Sequence, residues 1–292
     1  MSGPICSYCG QEIRGGQLYC SSCGTQAPVP PVIPVESPPA PVPERAQGIA
    51  EPARPALWTE RQWRIFELVL VCGVAFAISV LRSGEIFFMG NPPLSSRSVG
   101  EMTWIYSMVR QGTALALLWY VLQRRSKSFR DLGLRWSSKE VGFGCLLFVG
   151  GILAHDLMRA LIRGVTTALN SPLGTQPDVD RLLFGSHVVV MALVAQFVNP
   201  FFEELIVRAF VMIEIKALTN NVTLAVVASV LLQTSYHFYQ GTPAALSHLG
   251  TFLLFALYYA KTNRIGAPIV AHLLLDLSAT LFYMARLGQR TF

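Results

Sequence analysis

Seven apolar runs, near residues 65–81, 102–122, 141–163, 187–215, 221–238, 246–260 and 266–285, limit what this chain can become. Runs of this length approach the roughly 20 residues that a helix needs to cross a hydrocarbon core about 30 Å thick. No water reaches such a core, so each backbone N–H and C=O must be satisfied within the protein, and a run of this kind becomes a helix. The hydrophobic share of 52%, the charged share of 14% and a mean hydropathy of +0.45 lie outside the range of soluble domains. The expected fold is an all-α polytopic membrane protein with about seven transmembrane helices. The fourth run is long and contains Pro200, and a break there would give eight.

The formal net charge of +6 reads as topology rather than affinity for nucleic acid, because the basic residues cluster beside the apolar runs. Arg124, Arg125, Lys127, Arg130, Arg135 and Lys139 follow the second run and make that loop cytoplasmic. Lys261 and Arg264 fall on the same side, and segments 82–101 and 164–185, poorer in basic residues, should face outward. The expected location is the cell (inner) membrane with the N-terminus in the cytoplasm. The first residues carry no short apolar core behind a basic start, so no cleavable signal peptide is expected. Nor does any internal repeat suggest the inverted halves of a transporter.

Residues 1–26 form a separate unit. Cys6 and Cys9, then Cys20 and Cys23, make two C-x2-C knuckles, each followed by a glycine, Gly10 and Gly24, that permits a tight turn. Four thiolates so spaced suit a structural Zn2+ in a small zinc ribbon; the alternative is two disulfides, which require an oxidising compartment. A cytosolic ribbon agrees with the charge bias. Residues 27–60 are a linker, with ten prolines between Ala27 and Trp58, favouring extended polyproline II and excluding a packed core. A spacer is the simple reading, a proline-recognition ligand the other. The transmembrane domain spans 61–292, in which Cys72 and Cys145 read as lipid-buried or core thiols.

Within the fourth run, Pro200-Phe-Phe-Glu-Glu-Leu-Ile-Val-Arg-Ala-Phe210 places Glu203, Glu204 and Arg208 at membrane depth, where each unpartnered charge costs about 2.5–3.5 kcal/mol. On an α-helix Glu204 and Arg208 lie one turn apart and can neutralise each other, while Glu203 points about 100° away and is left over. Gln196, Asn199 and Glu203 share a stripe expected to face a wet interior. Pro200 predicts a kink just before the glutamates. The plainer reading is that the charges only tie helices together.

Two histidines lie where they could meet Glu203: His237 near the end of the fifth run, and His272 in the seventh, one turn before Asp276. A rise of 1.5 Å per residue puts Glu203, His237, His272 and Asp276 at depths of roughly 18, 25, 12 and 18 Å, compatible with one shared site. Each His alone could equally be an interhelical hydrogen-bonder. His155, Asp156 and Arg159 on the third run read as a structural network, and His187 and His248 as interfacial.

Glu203-Glu204-x3-Arg208, then His237, then His272-x3-Asp276 after Gly266-Ala-Pro268, resembles the CPBP family of intramembrane glutamic proteases, also called the Abi or type II CAAX prenyl protease family. Arg130-Asp-Leu-Gly-Leu134 is also similar to that family, and the likeness covers about 120–285. It implies that Glu203 activates water as general base, that Glu204 and Arg208 are a structural pair, and that His237 positions the water. His272 and Asp276 match the motif that stabilises the oxyanion. Two positions depart from the family pattern. Gln233 stands where the second motif usually has Phe, and Asp276 where the third commonly has Asn. A carboxylate donates a hydrogen bond only when protonated, so Asp276 could instead hold His272.

The expected function is an intramembrane endopeptidase that hydrolyses a peptide bond in a membrane-associated or lipid-anchored protein or peptide. Glu203, His237 and His272 could also form a two-His, one-carboxylate zinc set, but HExxH is absent and the metal-free mechanism is preferred. The ribbon could recruit the substrate or a protein partner. The alternative is a non-catalytic binder, an immunity or assembly factor on the same fold; a transporter is third.

Overall fold

The computed structural model describes residues 5–6, 8–13, 19–20, 22–23, 25, 58–89, 101–170 and 190–290, with the side chains of 101 and 287–290 left aside. His187, most of the linker and much of the two segments expected to face outward lie outside the described residues. The chain divides into two compact units, Met1–Pro55 and Ala56–Phe292.

In the second unit each apolar run is a helix. Among the described residues the seven are α1 (Glu60–Met89), α2 (Glu101–Arg124), α3 (Ser138–Ala168), α4 (Val190–Thr219), α5 (Val222–Ser235), α6 (Thr242–Thr262) and α7 (Gly266–Arg290). Five of them, α1, α3, α4, α6 and α7, are long and apolar enough to cross a membrane. The chain is an integral membrane protein. α5 has only 14 residues, about 21 Å of rise against a core of about 30 Å, so it crosses part of the bilayer depth. It stops at Ser235, and His237 lies not in a span but in the turn before a short 3₁₀ segment, Phe238–Gln240. α4 runs through Pro200 as one helical body, so the eight-span alternative does not arise. Beyond the proline the helix changes to π geometry at Glu204–Phe210, where the Val211 N–H bonds to the Ile206 carbonyl five residues back.

Local chemistry sets the ends. The Ser137 hydroxyl accepts from the Glu140 N–H to cap α3, and the Asn221 side chain accepts from the Leu224 N–H to cap α5. Asn220 and Asn263, in the left-handed region at φ 53° and 52°, end α4 and α6. α2 and α7 flank α4, whereas α3 lies against α6 and α7. Where α6 meets α3, a side chain at Gly250 would stand 2.3 Å from the Ala154 carbonyl oxygen, so the two backbones touch.

On the expected cytoplasmic side, three buried carboxylates organise Arg124, Arg125 and Arg264, which the sequence assigned to topology alone, together with Arg64. Glu67 pairs with Arg124 (2.6 Å) and Arg125, Glu214 with Arg125 (2.6 Å) and Arg64 (3.2 Å), and Glu140 with Arg264. The positive-inside rule counts Lys and Arg largely irrespective of acidic neighbours, so the orientation expected from that rule is unchanged. In the α2–α3 loop, the Ser128 N–H and hydroxyl donate to Asp131 Oδ2 at 2.7 and 2.8 Å. The Ser128 amide and hydroxyl thereby hold the Asp131 carboxyl below its ordinary range. This turn seats Leu132 and Gly133 on the α6–α7 corner, where Tyr259 donates to the Leu132 carbonyl (3.0 Å) and the Ile265 N–H to that of Gly133 (3.2 Å).

Gly133 has φ +86° and faces the Asn263 carbonyl oxygen, which a Cβ would approach to 2.0 Å. Gly133→Ala should therefore destabilise the membrane domain by at least about 1–2 kcal/mol, read as a lower unfolding midpoint in detergent.

Candidate functional site

Helices α4 and α7, bridged by α5, bring five of the singled-out ionisable residues into one connected set. Glu204 and Arg208, both fully buried, face each other across one turn of the π segment with Nε 3.6 Å from Oε2. That separation is an ion pair without a hydrogen bond, and neither atom has another hydrogen-bond partner among the described residues. Arg208 uses its other nitrogens on α5, donating to Ser229 Oγ at 3.0 Å and to Gln233 Oε1. From α7 the His272 Nδ1–H donates to Glu204 Oε1 at 2.9 Å. The Glu204 carboxylate is thus compensated from two sides.

Glu203 is placed differently. Its Oε2 accepts from Gln233 Nε2 at 2.9 Å and from the Tyr236 hydroxyl at 2.8 Å, and no cation is in salt-bridge contact with it among the described residues. It retains 7% exposure and lies within Coulombic reach of His272 and His237. Tyr236 is fixed from α1: Phe76 stacks on its ring at 4.7 Å with the planes 2° apart, and the Ser83 hydroxyl donates to its carbonyl at 2.9 Å.

On the far side of His272, Nε2 stands 3.7 Å from Asp276 Oδ1, close enough for attraction between charges and too far for a hydrogen bond. Asp276 Oδ2 accepts from Asn199 Nδ2 at 3.4 Å, and Asn199 Oδ1 accepts from Gln111 Nε2 of α2 at 2.9 Å. The stripe expected to face a wet interior therefore divides, with Asn199 bonded to Asp276 and Glu203 to α5.

His237 donates from Nδ1 to the Gln233 carbonyl at 2.7 Å, since a carbonyl can only accept. The neutral ring then keeps Nε2 as an acceptor. His248, expected to be interfacial, sits in a cluster of rings. Its ring packs against His237 at 5.6 Å and His155 at 4.7 Å, and it bonds Gln240 at 2.8 Å. His155 accepts from Arg159 at 2.8 Å, and Asp156 lies 3.8 Å from the same guanidinium.

In the first unit Cys6, Cys9, Cys20 and Cys23 bring their sulfurs within 4.8 Å of one another. Cys6–Cys23 and Cys9–Cys20 are each separated by 3.6 Å. A tetrahedral ion with metal–sulfur bonds of about 2.3 Å requires sulfurs about 3.8 Å apart, so the quartet fits such an ion. Gly10 at φ +71° makes the first knuckle, with its N–H on the Cys6 carbonyl (2.9 Å). The Thr25 hydroxyl and amide bring the Cys23 thiol down to about 6, toward the thiolate that a metal needs.

Sequence reasoning did not single out Ser229, Tyr236, Gln111 or the bridging part of Gln233. Ser229 and Gln233 were legible in principle, because two polar residues four apart in an apolar run mark one face turned toward a charge.

Arg208→Met leaves Glu204 buried with His272 as its remaining partner. The substitution should cost about 3–5 kcal/mol of stability, measured as the unfolding free energy in lipid or detergent.

Residues 185–278 match the family model described as type II CAAX prenyl endopeptidase Rce1-like. No curated protein and no solved structure matches the chain. The matched segment contains Glu203, Glu204, Arg208, His237, His272 and Asp276, so this part of the chain is similar to the type II CAAX prenyl endopeptidase family of membrane proteases.

Proposed function

We propose that the chain is an intramembrane endopeptidase in which Glu203 activates a water molecule against a peptide bond of a membrane-associated or lipid-anchored protein or peptide. The observation that carries this reading is the different treatment of adjacent glutamates: Glu204 is compensated by Arg208 and His272, whereas Glu203 has only neutral donors and retains some exposure. A carboxylate held by neutral donors and reached by solvent can take a proton from a water molecule without first breaking an ion pair.

In the proposed reaction the water oxygen attacks the carbonyl carbon as its proton passes to Glu203, and the carbonyl electron pair moves to oxygen. His237, with Nε2 free to accept, holds the second water hydrogen. His272, flanked by the Glu204 and Asp276 carboxylates, donates from Nε2 to the oxyanion when its ring is charged. Collapse expels the amine, which takes the proton back from Glu203. Asp276 acts through His272, because its oxygens lie against that ring and the Asn199 amide. No metal enters the reaction as proposed.

The ion of the cysteine quartet is proposed to be Zn2+, in a ribbon on the cytoplasmic side of the cell (inner) membrane on a proline-rich tether, where it recruits substrate or a protein partner. Purified chain should hold about one Zn2+ per molecule, and Cys20→Ser should lose it, as read by elemental analysis.

Proteolysis is tested by comparing peptide termini in membrane fractions of the native host expressing wild type or Glu203→Ala at equal abundance. Termini present only with wild type support the reading and identify the substrate. Identical termini, under conditions where deletion of the chain has a phenotype, would replace it with the non-catalytic binder.

A further inference from the structure

Gln233 is the position at which the second motif departs from the family's usual Phe, and the structure gives that departure a use. Its side chain is 1% exposed and bonded at both ends, with Oε1 accepting from Arg208 and Nε2 donating to Glu203 Oε2 at 2.9 Å. The orientation of the amide is dictated by its neighbours. A guanidinium can only donate and a carboxylate can only accept, so a single placement of the oxygen and nitrogen satisfies both. A phenyl ring at 233 could make neither bond.

We propose that Gln233 is a positioning residue for Glu203, tying the base to the Glu204–Arg208 pair and fixing which of its oxygens takes the proton; the second part rests on the proteolytic reading above. Tyr236 donates to the same Oε2, at 2.8 Å. Two donors on one oxygen draw charge to it and hold the carboxylate against rotation. Oε1 is then the oxygen that faces the water and receives its proton. Gln233 also ties its own helix to the site, since its carbonyl accepts from His237 Nδ1 at 2.7 Å. Arg208 limits the amide's freedom in turn, because rotation away from Glu203 would break the bond to Arg208 as well.

The test uses the full chain in lipid nanodiscs. The carboxylate band of Glu203 is isolated as the infrared difference between wild type and Glu203→Gln. Gln233→Leu and the near-isosteric Gln233→Met should each shift this band, and Tyr236→Phe should shift it too. Leu232→Ala, which removes packing beside the core on the same helix, should leave the band in place while lowering the unfolding temperature. In the terminus comparison, Gln233→Met at equal abundance should cut the wild-type-only termini about tenfold or more, the rate effect of one lost charge-assisted hydrogen bond. Folded Gln233 variants with an unmoved Glu203 band and undiminished termini would overturn the proposal. If wild type yields no termini while the band still shifts in the Gln233 variants, the contact between Gln233 and Glu203 stands and the proteolytic reading falls.

Discussion

The membrane domain depends on how it neutralises one carboxylate. Glu204 is fully buried at a depth where an uncompensated charge costs several kcal/mol, and two donors from different places meet it: the Arg208 guanidinium from the next turn of α4 and the His272 ring from α7. Satisfying Arg208 in turn requires Ser229 and Gln233 of α5. One buried charge therefore recruits three helices, and the packing of apolar side chains around them completes what that ion pair requires.

The same neutralisation separates adjacent residues into different roles. The π segment begins at Glu204, so Glu203 is the last residue of regular helix and Glu204 the first of a wider coil. A local widening of this kind is often found where a helix carries function, because it turns side chains out of the regular register. Glu204 ends on Arg208 and His272, and Glu203 on the neutral donors Gln233 and Tyr236. The outer polar residues repeat the arrangement on a weaker scale, with Gln111, Asn199 and Asp276 linking α2, α4 and α7 on the far side of His272.

Much of the fold was legible because the bilayer leaves few options. Apolar runs of span length become helices, and each of the seven runs is one. The ends were less legible, since they are set by single caps such as Ser137 and Asn221 and by the corner at Tyr236–Gln240, which ends α5 before it has crossed a full core. Glu203, Glu204, Arg208, His272 and Asp276 stood out as ionisable residues inside apolar sequence. Tyr236 did not, because a tyrosine at a span end is ordinary interfacial composition and its bond to Glu203 depends on how α1 presents Phe76 and Ser83. Gln233 was visible as a departure from a motif, but a departure shows only that a contact has changed. Which groups it joins is a property of the assembled helices. The buried Glu67, Glu140 and Glu214 were hidden for a related reason: near span ends a carboxylate reads as solvated until its arginine partners are placed.

The central claim is that these adjacent carboxylates divide structure from chemistry. The most direct measurement is the unfolding free energy of Glu203→Gln and Glu204→Gln, side by side with wild type in the same lipid. Glu204→Gln is predicted to lose about 3 kcal/mol or more, since it leaves the fully buried Arg208 guanidinium without its charge partner. Glu203→Gln is predicted to stay within about 1 kcal/mol of wild type, because an amide oxygen still accepts from Gln233 and Tyr236. Equal losses from the two substitutions, or a larger loss at Glu203, would contradict the account.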